Sequence, residues 1–307
     1  MEQLYDMIVV GGGPGGYTAA LYASRAGLKT LVLEKLSAGG QMALSSQIDN
    51  YPGFEDGIDG FALGEKMQAG AERYGAKTEL ATVTSVDLNQ NPKRVETTEG
   101  TYYAKTLVLA TGANPRFLGL PEEAELTGRG VNYCAACDGM QYRGKTVVVV
   151  GGGNTAAADA LMLSRIAKEV ILVHRRDTLR ATKVYHAPLV QASNVTFHWN
   201  STVTQLLHGE KLTGIVIRNE ISGTETVLPC DGIFVSIGRS PATNLVRGLL
   251  ELDAAGYIIA DESTRTTIPG VFAVGDIRTK ELRQIVTAVA DGAMAAHYAQ
   301  EYMAEQA

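Results

Sequence analysis

Short apolar runs, each followed by glycines and then by a helical pattern, appear repeatedly along the chain. The run at residues 7–10 (MIVV) leads into the glycines of residues 11–16 and an alanine-rich stretch, and another apolar run follows at residues 30–34. Runs of this length are typical of strands buried on both faces, and strand, glycine turn, helix, strand is a βαβ unit. The same order is repeated within residues 147–173. The sequence therefore predicts two βαβ units.

The glycines of the first turn have the spacing of a dinucleotide-binding fingerprint, G-x-G-x-x-G. Gly11 is at the tight turn, Gly13 is where a pyrophosphate approaches the backbone, and Gly16 is where the helix packs on the strand. The second turn, at residues 151–156, repeats the pattern with Gly151 and Asn154-Thr155-Ala156 following the glycines. One such fingerprint is also compatible with a plain turn packed against a helix, but two are more specific.

The second unit is predicted to be an insertion in the first. Strands ending in glycine at residues 107–112 and 233–238 complete two matching units, and another strand follows at residues 270–276. Because the second unit is already complete, we assign that late strand to the first domain. The predicted fold class is α/β, with two Rossmann-like dinucleotide-binding domains. The predicted boundaries are 1–115 and 244–307 for the outer domain and 116–243 for the inserted domain, with connections near Pro115 and Pro241 to Leu245.

Two matched positions predict which nucleotide each unit binds. Glu34 and His174 each lie 23 residues after the first glycine of their fingerprint, at the end of the second strand, where the adenosine ribose lies. A carboxylate there accepts hydrogen bonds from the ribose hydroxyl groups and repels a 2′-phosphate, so the first unit suits FAD or NAD. The second unit offers His174 with Arg175, Arg176 and Arg180, and guanidinium groups suit a 2′-phosphate. We therefore expect NADPH in the second unit, although the arginines are also compatible with a solvated helix start.

Composition narrows the function classes. The chain has 307 residues and a net charge of −6, which argues against binding to nucleic acid. No apolar run approaches the roughly 18 residues of a membrane helix. Residues 1–10 contain no basic region before the first strand, so no secretion signal is predicted and a cytoplasmic location is expected.

The cysteines suggest redox chemistry. Cys134 and Cys137 form a close pair and Cys230 stands alone, which is too few for a disulfide scaffold. If the segment begins a helix, both sulfur atoms face one way and the helix N-terminus lowers a thiolate pKa. Asp138 adds a carboxyl group that could donate or accept a proton. A dithiol beside two nucleotide sites suggests electron transfer from a nicotinamide through a flavin to a disulfide.

Two other interpretations of the pair remain open at this point. A zinc site would need two more ligands, and neither the five histidines nor Cys230 supplies a second close-paired spacing, so no metal is predicted. Two ordinary buried cysteines are also compatible with the spacing. Cys230 is interpreted as structural.

Further motifs extend the pattern over nearly the whole chain, at residues 34–41, 48–53, 110–113, 275–276 and 283–284. With both fingerprints, the segment C-A-A-C-D-G and the arginine segment H-R-R-D, they resemble the low-molecular-weight thioredoxin reductases. The resemblance implies FAD contacts at Gly11, Gly13, Gly16, Glu34, Lys35, Gly40, Gln41, Asn50, Gly112, Asp276, Arg283 and Gln284. It implies NADPH contacts at Gly151, Gly153, Asn154, Thr155, His174, Arg175, Arg176 and Arg180.

The resemblance also implies a mechanism. NADPH in the inserted domain reduces FAD, and the reduced flavin opens a Cys134–Cys137 disulfide. Cys137 is then the cysteine facing the flavin, Cys134 attacks the disulfide of a thioredoxin, and Asp138 handles the proton. The inserted domain rotates between two orientations about the two connections. A homodimer is expected on the same basis.

The chain departs from the family pattern at three places. Ala136 stands between the cysteines where threonine is common, which should tune the redox poise slightly. Ala158 and Asp159 stand where two glutamates are usual. Residues 277–282, ending at Leu282, lack an aspartate and a tyrosine that are common before the Arg-Gln pair.

Four other functions are weighed against this one. A reductase of another thioredoxin-like or peroxiredoxin-linked partner is the main alternative. A flavin dithiol oxidase would not need Arg175, Arg176 and Arg180, and a ferredoxin–NADP reductase would not need the cysteine pair. A flavin-bearing redox sensor would consume about one equivalent of NADPH per flavin and then stop.

Overall fold

The computed structural model describes residues 4–45 and 47–306. Residues 1–3, part of the segment for which no secretion signal is predicted, lie outside the described residues. Its strands are β1 (Leu4–Val10), β2 (Thr30–Glu34), β3 (Lys77–Leu80), β4 (Val83–Asp87), β5 (Lys93–Thr97), β6 (Thr101–Leu109), β7 (Ala113–Pro115), β8 (Val131–Asn132), β9 (Thr146–Val150), β10 (Glu169–Val173), β11 (Val195–His198), β12 (Ser201–His208), β13 (Leu212–Asn219), β14 (Glu225–Pro229), β15 (Gly232–Val235), β16 (Arg239–Pro241) and β17 (Val271–Ala273). Its helices are α1 (Pro14–Arg25), α2 (Gly60–Glu72), α3 (Ala135–Asp138), α4 (Asn154–Ser164), α5 (His186–Gln191) and α6 (Ile285–Glu305).

The described residues divide into two compact units. The first contains residues 4–45, 51–114 and 240–306, and the second contains residues 47–50 and 115–239. The chain passes between the two units within β7 and within β16, which pair with each other as a two-stranded sheet, and it does so again on either side of residues 47–50. The second unit therefore ends before residue 243, where the sequence had placed its boundary, and it includes residues 47–50, which the sequence had placed in the outer domain.

The first unit is built on one seven-stranded sheet. Strands β3, β2, β1 and β6 lie in that order and are parallel where they pair, and β5 and β4 extend the sheet in antiparallel fashion. The late strand β17 joins this sheet, parallel to β6, with Val271 opposite Leu107. The late strand therefore lies in the same sheet as β1 and β6.

Both faces of the central strands β1 and β2 are covered, as continuous apolar strands require. Ile8 and Val10 of β1 pack in one cluster with Leu107 and Leu109, whereas Met7 and Val9 point to the helical side. Small residues let α1 and α6 approach closely there. A Cβ at Gly292 of α6 would lie only 2.2 Å from the Gly15 carbonyl oxygen.

The second unit has a five-stranded parallel sheet in the order β11, β10, β9, β15, β8. Val147 and Val149 of β9 pack with α4 on one side. Val148 and Val150 pack on the other side with Ile215 of an antiparallel sheet formed by β12, β13 and β14. Each unit therefore has its own core.

No helix within residues 4–45 and 47–306 combines the length and the apolar character needed to cross a membrane.

Candidate redox and nucleotide sites

Cys134 and Cys137 are joined by a disulfide, with their Cα atoms 5.2 Å apart. Cys134 precedes α3 and Cys137 lies within it, so the cysteine segment does begin a helix, although one of only four residues. The Cys137 N–H donates to the Cys134 carbonyl oxygen at 3.2 Å and lies 3.2 Å from its Sγ. Both cysteines are partly exposed.

Asp138 is the last residue of α3 and follows Cys137 directly. Burial raises the pKa of its carboxyl group from 3.8 to about 6. Both the protonated and the ionised form are therefore accessible near neutral pH, as a group that both donates and accepts a proton requires.

The redox segment is held firmly by its neighbours. A Cβ at Gly139 would lie 2.8 Å from the terminal methyl group of Met162, so the segment packs closely against α4. Tyr142 is buried and its hydroxyl accepts a hydrogen bond from Asn132 Nδ2 at 2.8 Å. Asn50, which the resemblance placed at the flavin, donates from Nδ2 to the Ala136 carbonyl oxygen between the two cysteines at 3.2 Å.

The first fingerprint has the geometry of a nucleotide turn. Gly11 has φ = +106°, and a Cβ at Gly16 would lie only 2.0 Å from the Gly11 carbonyl oxygen. Gly16 is therefore required by packing of α1 on the strand turn. A Cβ at Gly13 would meet no atom within 4 Å, so this backbone is open to a ligand.

Glu34 lies at the end of β2, as predicted, and supports the same turn. Its Oε2 accepts the Gly12 N–H at 2.5 Å, and its Oε1 accepts the N–H groups of Lys35 and Leu36 at 2.7 and 3.1 Å. The carboxylate thus fixes the fingerprint turn, and its contact with a ribose stays a prediction. Lys35 is exposed at this point.

Several other predicted FAD residues lie in the same unit. A Cβ at Gly40 would lie 3.6 Å from the Gly13 Cα, so the segment of residues 39–41 adjoins the fingerprint. Gln41 donates from Nε2 to Asn114 Oδ1 at 3.2 Å. Gly112 has φ = +69°, and its carbonyl oxygen accepts the Ala242 N–H at 2.9 Å.

The remaining predicted FAD residues lie around the start of α6. Asp276 belongs to a short 3₁₀ turn, Gly275–Ile277. Gln284 caps α6 by exchanging hydrogen bonds with Thr287. The Arg283 guanidinium lies 3.9 Å from the centre of the Tyr257 ring, and its buried Nε has no hydrogen-bond partner among the described residues. That atom is a donor available to a ligand.

Sequence reasoning missed a buried ionic cluster next to this turn. Asp291 of α6 accepts hydrogen bonds from Arg278 Nε at 2.9 Å and Nη2 at 2.7 Å, and from Lys280 Nζ at 2.7 Å. It also accepts the Gly275 N–H at 2.8 Å. The only local signal is an aspartate in the apolar, alanine-rich stretch AVADGAMAA.

The second fingerprint repeats the first. Gly151 has φ = +145°, and a Cβ there would lie 2.4 Å from the Ser236 carbonyl oxygen, whereas Gly153 is open. Asn154 Oδ1 accepts the Thr182 N–H at 2.8 Å. Thr155 is exposed in the first turn of α4.

The arginine segment is attached to this turn. The Gly152 carbonyl oxygen accepts the N–H groups of Arg180 and Ala181 at 2.7 and 3.0 Å. The side chains of Arg175, Arg176 and Arg180 are exposed, and the backbone of Arg180 lies directly beside the glycine turn.

His174 lies behind the turn rather than on its surface. It is buried, and a Cβ at Gly152 would lie 2.3 Å from its ring. Burial, and then the nearby Arg180, Arg176 and Arg175, lower the pKa of its imidazole. Its Nε2 has no hydrogen-bond partner among the described residues. The positive charges offered to a ligand therefore come from the arginines.

Cys230 fits its structural interpretation. It is buried, and burial together with Asp231 raises the pKa of its thiol to about 12. The thiol therefore stays protonated and unreactive.

A family model described as pyridine nucleotide-disulphide oxidoreductase matches residues 5–292. The chain belongs to the pyridine nucleotide-disulphide oxidoreductase family. A thioredoxin reductase of Listeria monocytogenes is 44% identical over 305 residues, which cover 99% of this chain and 95% of that protein. A thioredoxin reductase of Treponema pallidum is 42% identical over 303 residues, which cover 99% and 98%.

Solved structures of this oxidoreductase family have the same fold. The crystal structure of thioredoxin reductase from Streptococcus pyogenes has a TM-score of 0.91 at 40% identity, and the match covers 99% of this chain and 100% of that one. The α/β fold class with two dinucleotide-binding domains, and the resemblance drawn from the motifs, are confirmed.

Proposed function

We propose that the chain is an NADPH- and FAD-dependent thioredoxin reductase. The observation that carries the proposal is the Cys134–Cys137 disulfide, partly exposed and in the same unit as the glycine turn with its three arginines. A nucleotide site and a reducible disulfide are the two ends of an electron path from NADPH to a protein disulfide. The relatives named thioredoxin reductase support thioredoxin as the acceptor rather than another disulfide protein.

The residues of the first unit fit FAD. Gly13 leaves the fingerprint backbone open, and Arg283 Nε is a buried donor without a partner in the described part of the chain. Glu34, Gln41, Asp276 and the remaining predicted contacts of this unit would hold the cofactor. Bound FAD supplies a centre that accepts a hydride from NADPH and passes two electrons to a disulfide.

The residues of the second unit suit NADPH. Arg175, Arg176 and Arg180 offer charge-assisted hydrogen bonds to the 2′-phosphate that NADH lacks. Gly153 leaves room for the pyrophosphate at the start of α4. We therefore expect the chain to prefer NADPH.

The chain's own cysteines then transfer the electrons in two bond exchanges. Once the Cys134–Cys137 bond is reduced, the Cys134 thiolate attacks one sulfur of the thioredoxin disulfide, which breaks that bond and forms a mixed disulfide. Cys137 attacks Cys134 Sγ, which restores the Cys134–Cys137 bond and releases reduced thioredoxin. Asp138, with its pKa near 6, supplies a proton to the leaving thiolate.

We also propose a cytoplasmic homodimer, since the motifs that carry the resemblance belong to a homodimeric family. Sedimentation of the purified chain should give about twice its mass of 32.6 kDa. A mass of one chain at micromolar concentration would contradict the dimer.

A spectroscopic assay tests the function directly. The purified chain should show a flavin spectrum, and NADPH should be oxidised continuously only when thioredoxin and a chromogenic disulfide are both present. The Cys137→Ser variant should keep a flavin that NADPH bleaches but lose turnover. Bleaching by NADPH without turnover on thioredoxin would replace thioredoxin by another disulfide partner, and turnover retained in Cys137→Ser would contradict the dithiol path.

A further inference from the structure

The Arg278–Asp291–Lys280 cluster is unusual because it is both charged and buried. The side chains of Arg278, Asp291 and Lys280 are only 2%, 5% and 6% exposed. Removing ions from water costs several kcal/mol per ion, and a packed apolar group of similar volume is often as stable. Stability alone therefore gives no reason for three buried charges at this place.

The charges are also unequal in number. Arg278 and Lys280 share one buried carboxylate, and the other carboxylates that interact with Arg278, those of Asp261 and of Glu262 at 3.5 Å, belong to exposed residues. The Glu262 side chain is 94% exposed, so water screens its charge. Asp291 is the buried acceptor on which both cations depend.

The cluster ties together every segment that carries a predicted FAD residue at this end of the chain. Asp291 accepts the N–H of Gly275, the residue before Asp276. Lys280 Nζ donates to the Thr287 carbonyl oxygen at 3.1 Å, and Thr287 is the residue that shares the helix cap with Gln284.

Arg283 is linked to the cluster as well. Its Nη2 donates to the Arg278 carbonyl oxygen at 3.3 Å. The Arg278 side chain is in turn fixed to the neighbouring backbone, because its Nη1 donates to the carbonyl oxygens of Thr279 at 2.9 Å and Ala260 at 3.3 Å.

We propose that Asp291, with Arg278 and Lys280, is a positioning residue for FAD. It holds the Gly275–Ile277 turn and the first turn of α6 in the geometry that the cofactor needs before the cofactor arrives. The inference rests on the proposed FAD site. It goes beyond that site because none of these three side chains belongs to the contacts that the resemblance implies.

The test compares two variants of the full chain with a matched control. Asp291→Asn keeps the size of the side chain and removes its charge, and Lys280→Met removes one cation while leaving the Arg278–Asp291 pair intact. Glu301→Gln is the control, because Glu301 lies on the same helix in an exposed ion pair with Arg265. The measurements are hydrogen exchange of the peptide containing Gly275 without FAD, and the FAD dissociation constant by fluorescence quenching.

Asp291→Asn should speed exchange at Gly275 at least tenfold and raise the FAD dissociation constant at least tenfold. Lys280→Met should shift both in the same direction by a smaller factor, and it keeps the test available if Asp291→Asn does not fold. Glu301→Gln should change neither. Unchanged exchange in both variants, or faster exchange with unchanged FAD affinity, would overturn the positioning role. Failure of the wild-type chain to bind FAD would overturn the proposed function, and the wild-type titration shows this separately.

Discussion

At the scale of single residues, Asp138 gives the clearest pH signature. Burial raises the pKa of its carboxyl group from 3.8 to about 6, so the folded chain binds this proton more tightly than the unfolded chain. Its contribution to the free energy of unfolding is therefore fully present below the unfolded pKa of 3.8 and is lost as the pH rises through about 6. The size is on the order of 2 kcal/mol, allowing for partial exposure of the carboxyl group.

Asp138→Asn should remove this dependence while keeping the shape of the side chain. Chemical denaturation at a series of pH values should show the variant more stable than wild type at about pH 8 and not at about pH 3. The matched control is Asp87→Asn, which changes an exposed carboxylate in β4. A pH profile of the Asp138 variant that still follows wild type would contradict the assigned burial cost.

The same substitution should affect one step of the reaction selectively. Without the proton donor, exchange with the thioredoxin disulfide should slow by about 10²-fold, whereas reduction of the flavin by NADPH should change little. Stopped-flow absorbance at the flavin bands separates the two steps. Equal slowing of both steps would assign Asp138 a structural role only.

At the scale of elements, two glycines of the first fingerprint have different structural roles. An alanine at Gly16 would place its Cβ 2.0 Å from the Gly11 carbonyl oxygen, whereas an alanine at Gly13 would meet nothing within 4 Å. Gly16→Ala should therefore lower the free energy of unfolding of the FAD-free chain by about 3 kcal/mol or more. Gly13→Ala should leave that stability within about 0.5 kcal/mol and weaken FAD binding about tenfold, because its methyl group occupies the open side of the turn.

Denaturant titration without FAD and a flavin-binding titration distinguish the two variants. Each variant is the other's control, since both add one methyl group to the same turn. Loss of stability in Gly13→Ala, or its absence in Gly16→Ala, would contradict this division of roles.

The arginine segment allows a test of nucleotide choice. Arg175→Ala with Arg176→Ala should raise KM for NADPH by about 30–100-fold, the value of one or two charge-assisted hydrogen bonds. KM for NADH should change by no more than about threefold, because NADH lacks the 2′-phosphate. Arg218→Ala, an exposed arginine of β13 in the same unit, is the control. An unchanged preference for NADPH would show that the two arginines are only surface charges.

At the scale of the whole molecule, the parts that the sequence predicts well are those whose signal is local. Each fingerprint places a strand, a turn and a helix within about 25 residues, and the apolar runs fix which segments pair in parallel. The antiparallel sheet β12–β14 has a weaker signal, because the pairing of β12 with β13 is irregular between Val203 and Gln205. Its alternation of apolar and polar residues is broken at that point.

Other features depend on contacts that no local pattern encodes. Residues 47–50 group with the second unit, where Asn50 contacts the backbone of Ala136. Asp291 meets Arg278 across 13 positions and a turn, and a lone aspartate in a helix is usually solvated. Its burial depends on partners that are brought next to it only in the folded chain.

The inserted unit should fold and bind its nucleotide without the rest of the chain. It has its own parallel sheet and its own clusters of buried residues, and every predicted NADPH contact lies within residues 115–239. The isolated segment lacks residues 47–50, including the buried Ile48, so we expect some loss of stability. Calorimetric titration should give a dissociation constant for NADP⁺ within about fivefold of that of the full chain. A tenfold weaker affinity corresponds to about 1.4 kcal/mol, which would require the loss of a direct contact with the nucleotide.

The segment should show no flavin spectrum and no oxidation of NADPH, because it contains none of the predicted FAD contacts. Asn50 lies in residues 47–50, which the segment lacks, and the other predicted contacts lie in the other unit. Its Arg175→Ala, Arg176→Ala form is the control and should lose nucleotide binding, which would show that binding occurs at the same glycine turn. A segment that is unfolded by circular dichroism would contradict the independence of this unit. A folded segment that binds no NADP⁺ would instead show that the NADPH site requires residues of both units.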